Sequence, residues 1–118
     1  MVEPIVIWEK PMSANKAYMG RKRKTKEYRV YTENVLEKLP DLEIPSGNLS
    51  IKLEVYYSNR RADIDNFLKP FIDIMQARYG FNDNKIYKLH VEKFIVPKGE
   101  ERIAFLVGEA DAKPSNNT

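Results

Sequence analysis

Residues 49–83 read LSIKLEVYYSNRRADIDNFLKPFIDIMQARYGFND, and this stretch decides the fold. From Leu49 to Tyr57 apolar and polar side chains alternate, which predicts a strand with one buried face. From Asn66 to Tyr79 the apolar residues recur at helical spacing, which predicts a helix that ends at Gly80. Pro70 fits this helix only if the helix begins late enough to leave Pro70 in its first turn.

Two carboxylates stand between the predicted strand and the predicted helix. Asp63 and Asp65 are separated by one residue, so in extended backbone both side chains leave the same face while Ile64 points into the protein. Either Asp65 or Asn66 is expected to cap the helix. Lys69 follows Asp65 at i+4, which predicts an ammonium group one turn below the carboxylates on their own face.

A third carboxylate, Asp83, lies in the polar turn after the helix. If the next strand pairs beside the strand that leads to Asp63, we expect Asp83 to join the first two carboxylates as a third ligand. Mg2+ takes oxygen ligands and keeps several waters, so this pattern favours a divalent-cation site for phosphate chemistry. Short Asp-rich turns are also common as helix caps and solvated loops, and that alternative stays open. An EF-hand calcium loop is excluded, because the run lacks its Gly and its late Glu.

The rest of the chain completes one domain of α/β (α+β) type. The other predicted elements are a strand at 3–9, a helix at 25–39, and strands at 86–96 and 102–107 joined by a turn at 97–100. The order β-α-β-α-β-β predicts a mixed sheet covered by two helices. We expect residues 1–109 to form this domain and residues 110–118, which are almost free of apolar side chains, to form a disordered tail.

Composition narrows the possible chemistry. The chain has 118 residues, 42% of them hydrophobic, and no Cys, which excludes disulfides, thiolate metal sites and a Cys nucleophile. The single His90 lies in a strand-like run, where packing or a surface position is expected. No apolar run approaches about 18 residues, so no membrane partner is expected, and we predict a cytoplasmic location.

Positive charge is concentrated near the N-terminus. Between Lys16 and Arg29 there are seven basic residues against one acid, Glu27, although the whole chain carries only +3. Cations at the start of a helix oppose its dipole, so this segment indicates an anionic partner, with a solvated basic turn as the alternative. Arg60 and Arg61 directly precede the acids, where they would pair with them or contact phosphates of an anionic partner.

These residues carry a resemblance to a known family. The run Asp63-x-Asp65-Asn66-x-x-Lys69-x-x-x-Asp73, followed by Gly80 and Asn82-Asp83-x-x-Ile86, resembles the motif of the RusA family of Holliday junction resolvases. The stretch Pro11-x-Ser13-Ala14-Asn15-Lys16-x-Tyr18 is similar to the N-terminal segment of that family. The resemblance spans residues 5 to 108 and implies a RusA-like fold. It also implies a small homodimeric endonuclease, often carried by prophages, that cuts four-way DNA junctions with Mg2+ or Mn2+. The cytoplasm would then be that of a bacterial or phage-infected host cell.

Carried over by position, the resemblance implies that Asp63, Asp65 and Asp83 are the catalytic, metal-binding carboxylates and that Lys69 is the essential lysine. The chain departs from the family at Asn82, where a second acid is usual, and at Lys85, where Gln is common. Asn15 and Tyr18 are candidates for substrate positioning. The residues expected to contact DNA are Asn15, Lys16, Arg21, Lys22, Arg23, Lys24, Lys26, Arg60, Arg61 and Lys85.

Symmetric resolution needs two cuts, and one chain offers one acidic cluster, so a homodimer with two-fold symmetry is expected. Two other functions stay open from the residues alone. One is a DNA-binding or architectural protein whose aspartates only cap a helix, and the other is a metal nuclease that acts on flaps, forks or RNA. Convergence of the three carboxylates would favour a nuclease, and dispersed carboxylates would favour the binding protein.

Overall fold

A computed structural model of the protein describes residues 3–19 and 23–110. Its core is one sheet made of β1 (Ile5–Ile7), β4 (Leu49–Tyr57), β5 (Ile86–Ile95) and β6 (Arg102–Glu109). These strands lie in the order β1-β6-β4-β5, where β4 and β5 are parallel and the pairs β1–β6 and β4–β6 are antiparallel. The helices are α1 (Ala14–Ala17), α2 (Lys26–Lys38) and α3 (Leu68–Tyr79), and Asp83–Lys85 form a 3-10 turn. The predicted α+β domain with a mixed sheet is therefore confirmed.

The central strand has the length and the alternation that its sequence predicts. Leu49, Ile51, Leu53 and Val55 of β4 are each at most 1% exposed, because every second side chain of a strand leaves the same face. The side chains of α2 and α3 cover that face, with Tyr28, Tyr31 and Val35 buried from α2 and Phe71, Ile74 and Met75 buried from α3. The other face of the sheet carries polar and aromatic residues.

The segment between β1 and α2, for which no helix or strand is predicted, contains short elements. Helix α1 begins after Ser13, whose side chain accepts a hydrogen bond from the Lys16 N–H. A two-stranded ribbon, β2 (Tyr18–Met19) with β3 (Arg23–Lys24), follows it. The chain end also differs in detail, because Ala110 is buried and its N–H donates to the Asn48 carbonyl at 2.9 Å. The rest of the predicted tail, residues 111–118, lies outside the described residues.

Helix α3 has a proline in its first turn and a glycine at its end, where these residue types are favoured. Pro70 is the third residue of the helix, within the first turn, where no backbone N–H is needed. Gly80 ends the helix with φ 75°, and its N–H donates to the Gln76 carbonyl at 2.8 Å. Since β4 and β5 are parallel neighbours, α3 carries the chain back from the carboxyl end of β4 to the amino end of β5.

Candidate active site

Asp63 and Asp65 lie in a pair of overlapping turns, which we call the acidic turn (residues 63–67). The Asn66 N–H donates to the Asp63 carbonyl at 3.2 Å and the Leu68 N–H to the Asp65 carbonyl at 3.1 Å. Both carboxylates are exposed, and so is Ile64, at 42%. The predictions of extended backbone and of an inward Ile64 are therefore wrong.

The predicted cap of α3 is also wrong. The N-cap is Phe67, and it makes no side-chain cap hydrogen bond. Its ring is fully buried and lies 6.4 Å from the Phe71 ring, centroid to centroid. This ring packs against α3 at the start of the helix, and neither Asp65 nor Asn66 caps it.

Three separate elements hold the acidic turn and the residues before it. The Tyr57 hydroxyl at the end of β4 donates to the Asp63 carbonyl at 3.1 Å. The Lys93 ammonium of β5 donates to the carbonyls of Arg60 at 3.0 Å and Ala62 at 2.6 Å. The Ala14 N–H of α1 donates to the Asn66 carbonyl at 2.9 Å.

Sequence reasoning missed Lys93 as a residue of the site. It is aligned with Val55 of β4, so it occupies the inward-facing row of the sheet. A lysine in a row of apolar residues is the signal that could have revealed it, because a charge in such a row must find acceptors.

The pKa of Tyr57, whose hydroxyl bonds to the acidic turn, responds to both carboxylates. Burial raises the pKa of Tyr57 to about 12, and the charges of Asp65 and Asp63 add to the increase. The hydroxyl therefore stays protonated near neutral pH and remains a hydrogen-bond donor. The two carboxylates thus act on one half-buried phenol from the same turn.

A row of polar side chains continues along α3 from the acidic turn. Lys69 Nζ lies 3.3 Å from Asp73 Oδ2, and the Tyr18 hydroxyl donates to the same oxygen at 2.8 Å. Gln76 Nε2 donates to Asp73 Oδ1 at 3.3 Å, and Gln76 Oε1 accepts the Asp83 N–H at 2.8 Å. Asp83 therefore lies beside Gln76, near the far end of the helix.

The third carboxylate does not join the other two within one chain. From Leu68 to Gln76 the helix rises about 12 Å, at about 1.5 Å per residue, and the parallel crossover places Asp83 before the amino end of β5. Across the residues that the structure describes, no group of three or more His, Asp or Glu side chains lies close enough to hold a metal ion. The expected convergence in a single chain is therefore not found.

The acidic turn nevertheless suits a hard cation. Mg2+ in phosphate-transfer sites is commonly bound by one or two carboxylates, with waters and substrate oxygens completing its shell. Asp63 and Asp65 supply two such carboxylates, both open to solvent. The donor set fits Mg2+ even without a third ligand from the same chain.

The predicted DNA contacts are mostly surface side chains. Asn15, Lys16, Lys24, Lys26, Arg60, Arg61 and Lys85 are exposed. In the described part of the chain, none of these basic side chains forms an ion pair with a carboxylate. Arg21, Lys22 and the side chain of Arg23 lie outside the described residues. Lys16 and Lys26 line a cleft of about 640 Å3, together with Ala62 and Asn66 next to the acidic carboxylates.

Comparison with protein-family models now identifies the class of protein. The model described as endodeoxyribonuclease RusA matches residues 7–104, a span that includes the acidic turn, Lys69 and Asp83. This defines a DNA endonuclease. The chain belongs to the RusA family of Holliday junction resolvases, as the sequence motif predicts. No curated protein matches it, and none of its helices in ranges 3–19 and 23–110 is long and apolar enough to cross a membrane.

Proposed function

We propose that the protein resolves four-way DNA junctions by paired, symmetric hydrolysis of phosphodiester bonds, in DNA recombination and repair, with Mg2+ or Mn2+ as cofactor. The observation that carries this proposal is the acidic turn. Two exposed carboxylates stand on a turn that β4, β5 and α1 hold in place, in a chain of the RusA endonuclease family.

Asp63 and Asp65 are the residues that would hold the cation. When bound, Mg2+ supplies Lewis-acid polarisation of the scissile phosphate and makes a water more acidic. Without a bound cation, the two carboxylates of the acidic turn would repel the DNA phosphates. Cleavage is therefore expected to depend strictly on a divalent ion.

Lys69 is assigned the role of neutralising charge on the phosphoryl oxygens. A lysine serves as a base only where burial disfavours its charged form. The Lys69 side chain is 61% exposed and paired with Asp73, so it lacks the burial that such a base requires. Among the described residues Lys69 donates only to Asp73, so its other N–H groups can donate to a phosphate oxygen.

The exposed cations give the protein a surface for DNA phosphates. Lys16, Lys24 and Lys26 lie on the N-terminal side of the acidic turn, and Arg60 and Arg61 lie directly before it. Phosphate contacts of this kind give affinity that depends on salt and not on base sequence. Junction preference would then come from the shape of the DNA.

A homodimer answers both the need for two cuts and the position of Asp83. One chain separates Asp83 from Asp63 and Asp65 by most of the length of α3. A two-fold axis can place the Asp83 end of one copy against the acidic turn of the other. We therefore assign Asp83 to the site of a second copy.

The dispersed carboxylates of a single chain are also what a non-catalytic DNA-binding protein would show. The variant Asp65→Asn separates these functions. Purified proteins are incubated with synthetic four-way junction, duplex, flap and fork DNA and with RNA, in Mg2+ or in EDTA. Wild type is expected to cut the junction in pairs, and D65N to fall below about 1% of that rate.

Binding is measured in the same experiment. In EDTA, D65N should bind the junction at least as tightly as wild type, because it removes a negative charge from the DNA surface. Asp41→Asn is the matched control, since Asp41 is exposed and pairs with Arg78 on the far part of α3. Cleavage by D65N at the wild-type rate would place the site elsewhere, and faster cutting of flaps, forks or RNA would overturn the proposed substrate.

A further inference from the structure

Asp73 is the most connected polar side chain near the candidate site, and the site as described assigns it no role. It accepts hydrogen bonds from three residues of different origin: Tyr18 from the N-terminal segment, Lys69 from the start of α3, and Gln76 from the next turn of α3. Both of its oxygens are used. Its side chain is 33% exposed, so the carboxylate lies partly beneath the surface.

The contact on the Tyr18 side is fixed by packing. The Tyr18 ring lies 5.4 Å from the Tyr28 ring, centroid to centroid, and the Tyr28 hydroxyl lies 3.4 Å from the Pro70 carbonyl. Burial raises the pKa of Tyr18, with a further increase from its hydrogen bond to Asp73, so the phenol stays a donor. Tyr18 therefore presents a fixed hydroxyl to Asp73.

The Lys69 ammonium is held from two sides. It lies 3.3 Å from Asp73 Oδ2 and 5.6 Å from the centroid of the Tyr18 ring. A carboxylate and an aromatic face together restrict a side chain that would otherwise sample many rotamers. Lys69 thus has a defined position one turn beyond the acidic turn.

The other oxygen of Asp73 accepts a hydrogen bond from a residue nearer the end of α3. It orients the Gln76 amide, so that Gln76 Oε1 faces the Asp83 N–H. No hydrogen bond joins Asp83 directly to Asp73 in the part of the chain that the structure describes. Its backbone position is set through Gln76.

We propose that Asp73 is a positioning residue that sets both Lys69 and, through Gln76, the Asp83 segment. This inference rests on the proposed nuclease function. Within the described residues, the side chain of Asp73 bonds to Tyr18, Lys69 and Gln76 and not to the acidic turn. Asp73 acts through Lys69, which the proposed function places at the phosphate, and through the Asp83 segment, which the proposed function places at the cation of a second copy.

A double-mutant cycle tests the Lys69 part. Asp73→Asn, Lys69→Met and the double variant are compared under single-turnover conditions, with Asp41→Asn as a control that breaks another ion pair of the same helix. D73N should lower the cleavage rate about 10- to 100-fold, in the range of residues that orient a metal site. It should change KM and junction binding in EDTA by less than about twofold.

If Asp73 acts through Lys69, D73N should lower the cleavage rate little further in the Lys69→Met background. If the two residues act independently, their fold-losses in rate should multiply. An equal fold-loss from D73N in both backgrounds overturns the Lys69 part. A fall in Tm that matches the fall in rate would also overturn it, because the role would then be structural. Asp73→Ala repeats the comparison without the Asn amide.

Hydrogen exchange tests the Asp83 part without any cleavage. The Asp83 amide should exchange about tenfold faster in D73N and in Gln76→Ala than in wild type or D41N, because its acceptor is displaced. An unchanged exchange rate in both variants overturns this part. If wild type cuts no junction, the proposed function fails instead, and the exchange result still decides whether Asp73 holds the Asp83 segment.

Discussion

At the scale of single residues, the candidate site depends on side chains that do no chemistry. Lys93 stands far along the chain from the acidic turn, yet its ammonium donates to two carbonyls of the residues just before it. A hydrogen bond from a charged donor contributes more to stability than a neutral one, about 1.5–3 kcal/mol. Lys93 is only half-buried, so its contribution belongs at or below the low end of that range.

Replacing Lys93 by Met should therefore lower both stability and cleavage. We expect the free energy of unfolding to fall by about 1 kcal/mol, and junction cleavage to fall by about tenfold as the acidic turn loosens. Lys88→Met is the matched control, since Lys88 is an exposed lysine of the same strand and removes the same charge. Denaturant unfolding and single-turnover cleavage measure the two effects. Equal cleavage by K93M and K88M would show that Lys93 does not support the site.

At the scale of elements, α3 joins the two parts of the candidate site. It begins directly after the acidic turn and ends at Gly80, which turns the chain toward Asp83. The φ of 75° at Gly80 lies in the left-handed region that side chains with a Cβ disfavour. A Cβ at Gly80 would meet nothing within 4 Å, so any cost of adding one comes from the backbone alone.

The variant Gly80→Ala should separate an effect on stability from an effect on the position of Asp83. Gly99 is a matched control, because it also has a positive φ and open space around its absent Cβ, and it lies in the turn between β5 and β6. Each Ala variant is expected to lose about 1 kcal/mol of unfolding free energy. Only G80A should also lose cleavage, about threefold to tenfold, because it shifts the route to Asp83. Loss of cleavage by both variants in proportion to stability would contradict a positional role for Gly80.

The elements also show what sequence can predict. Strand β4 and helices α2 and α3 were predictable because each is long enough to display a period, and Pro70 and Gly80 fix the bounds of α3. Helix α1 and the ribbon β2–β3 span two to four residues each, too few for any period. The i, i+2 spacing of Asp63 and Asp65 occurs in turns as readily as in strands. The position of Asp83 depends on the direction of β5 relative to β4, which no local pattern encodes.

At the scale of the whole molecule, the direction of β5 relative to β4 governs how a complete site can form. A parallel β4–α3–β5 unit carries the chain from one end of the sheet to the other, so a residue before α3 and a residue after it cannot share one small ion. Two carboxylates remain at one end and the third at the other. Two copies related by a two-fold axis would offer two such pairs and two such single carboxylates, which matches the two cuts that a symmetric junction requires.

A mixed dimer tests this arrangement directly. Asp65→Asn and Asp83→Asn chains with different tags are co-expressed, and the heterodimer is purified and given a cruciform plasmid with Mg2+. If Asp83 serves the other copy, both lesions fall in one site and the second site is intact, so the plasmid is nicked but not linearised. If each site lies within one chain, both sites carry a lesion and the plasmid stays intact.

The control heterodimer of D65N with Asp63→Asn has a lesion at both acidic turns and should be inactive in either case. Nicking by that control, or full activity of a monomer in size-exclusion fractions, would contradict the shared site, because activity would then not require an acidic turn and an Asp83 from different copies.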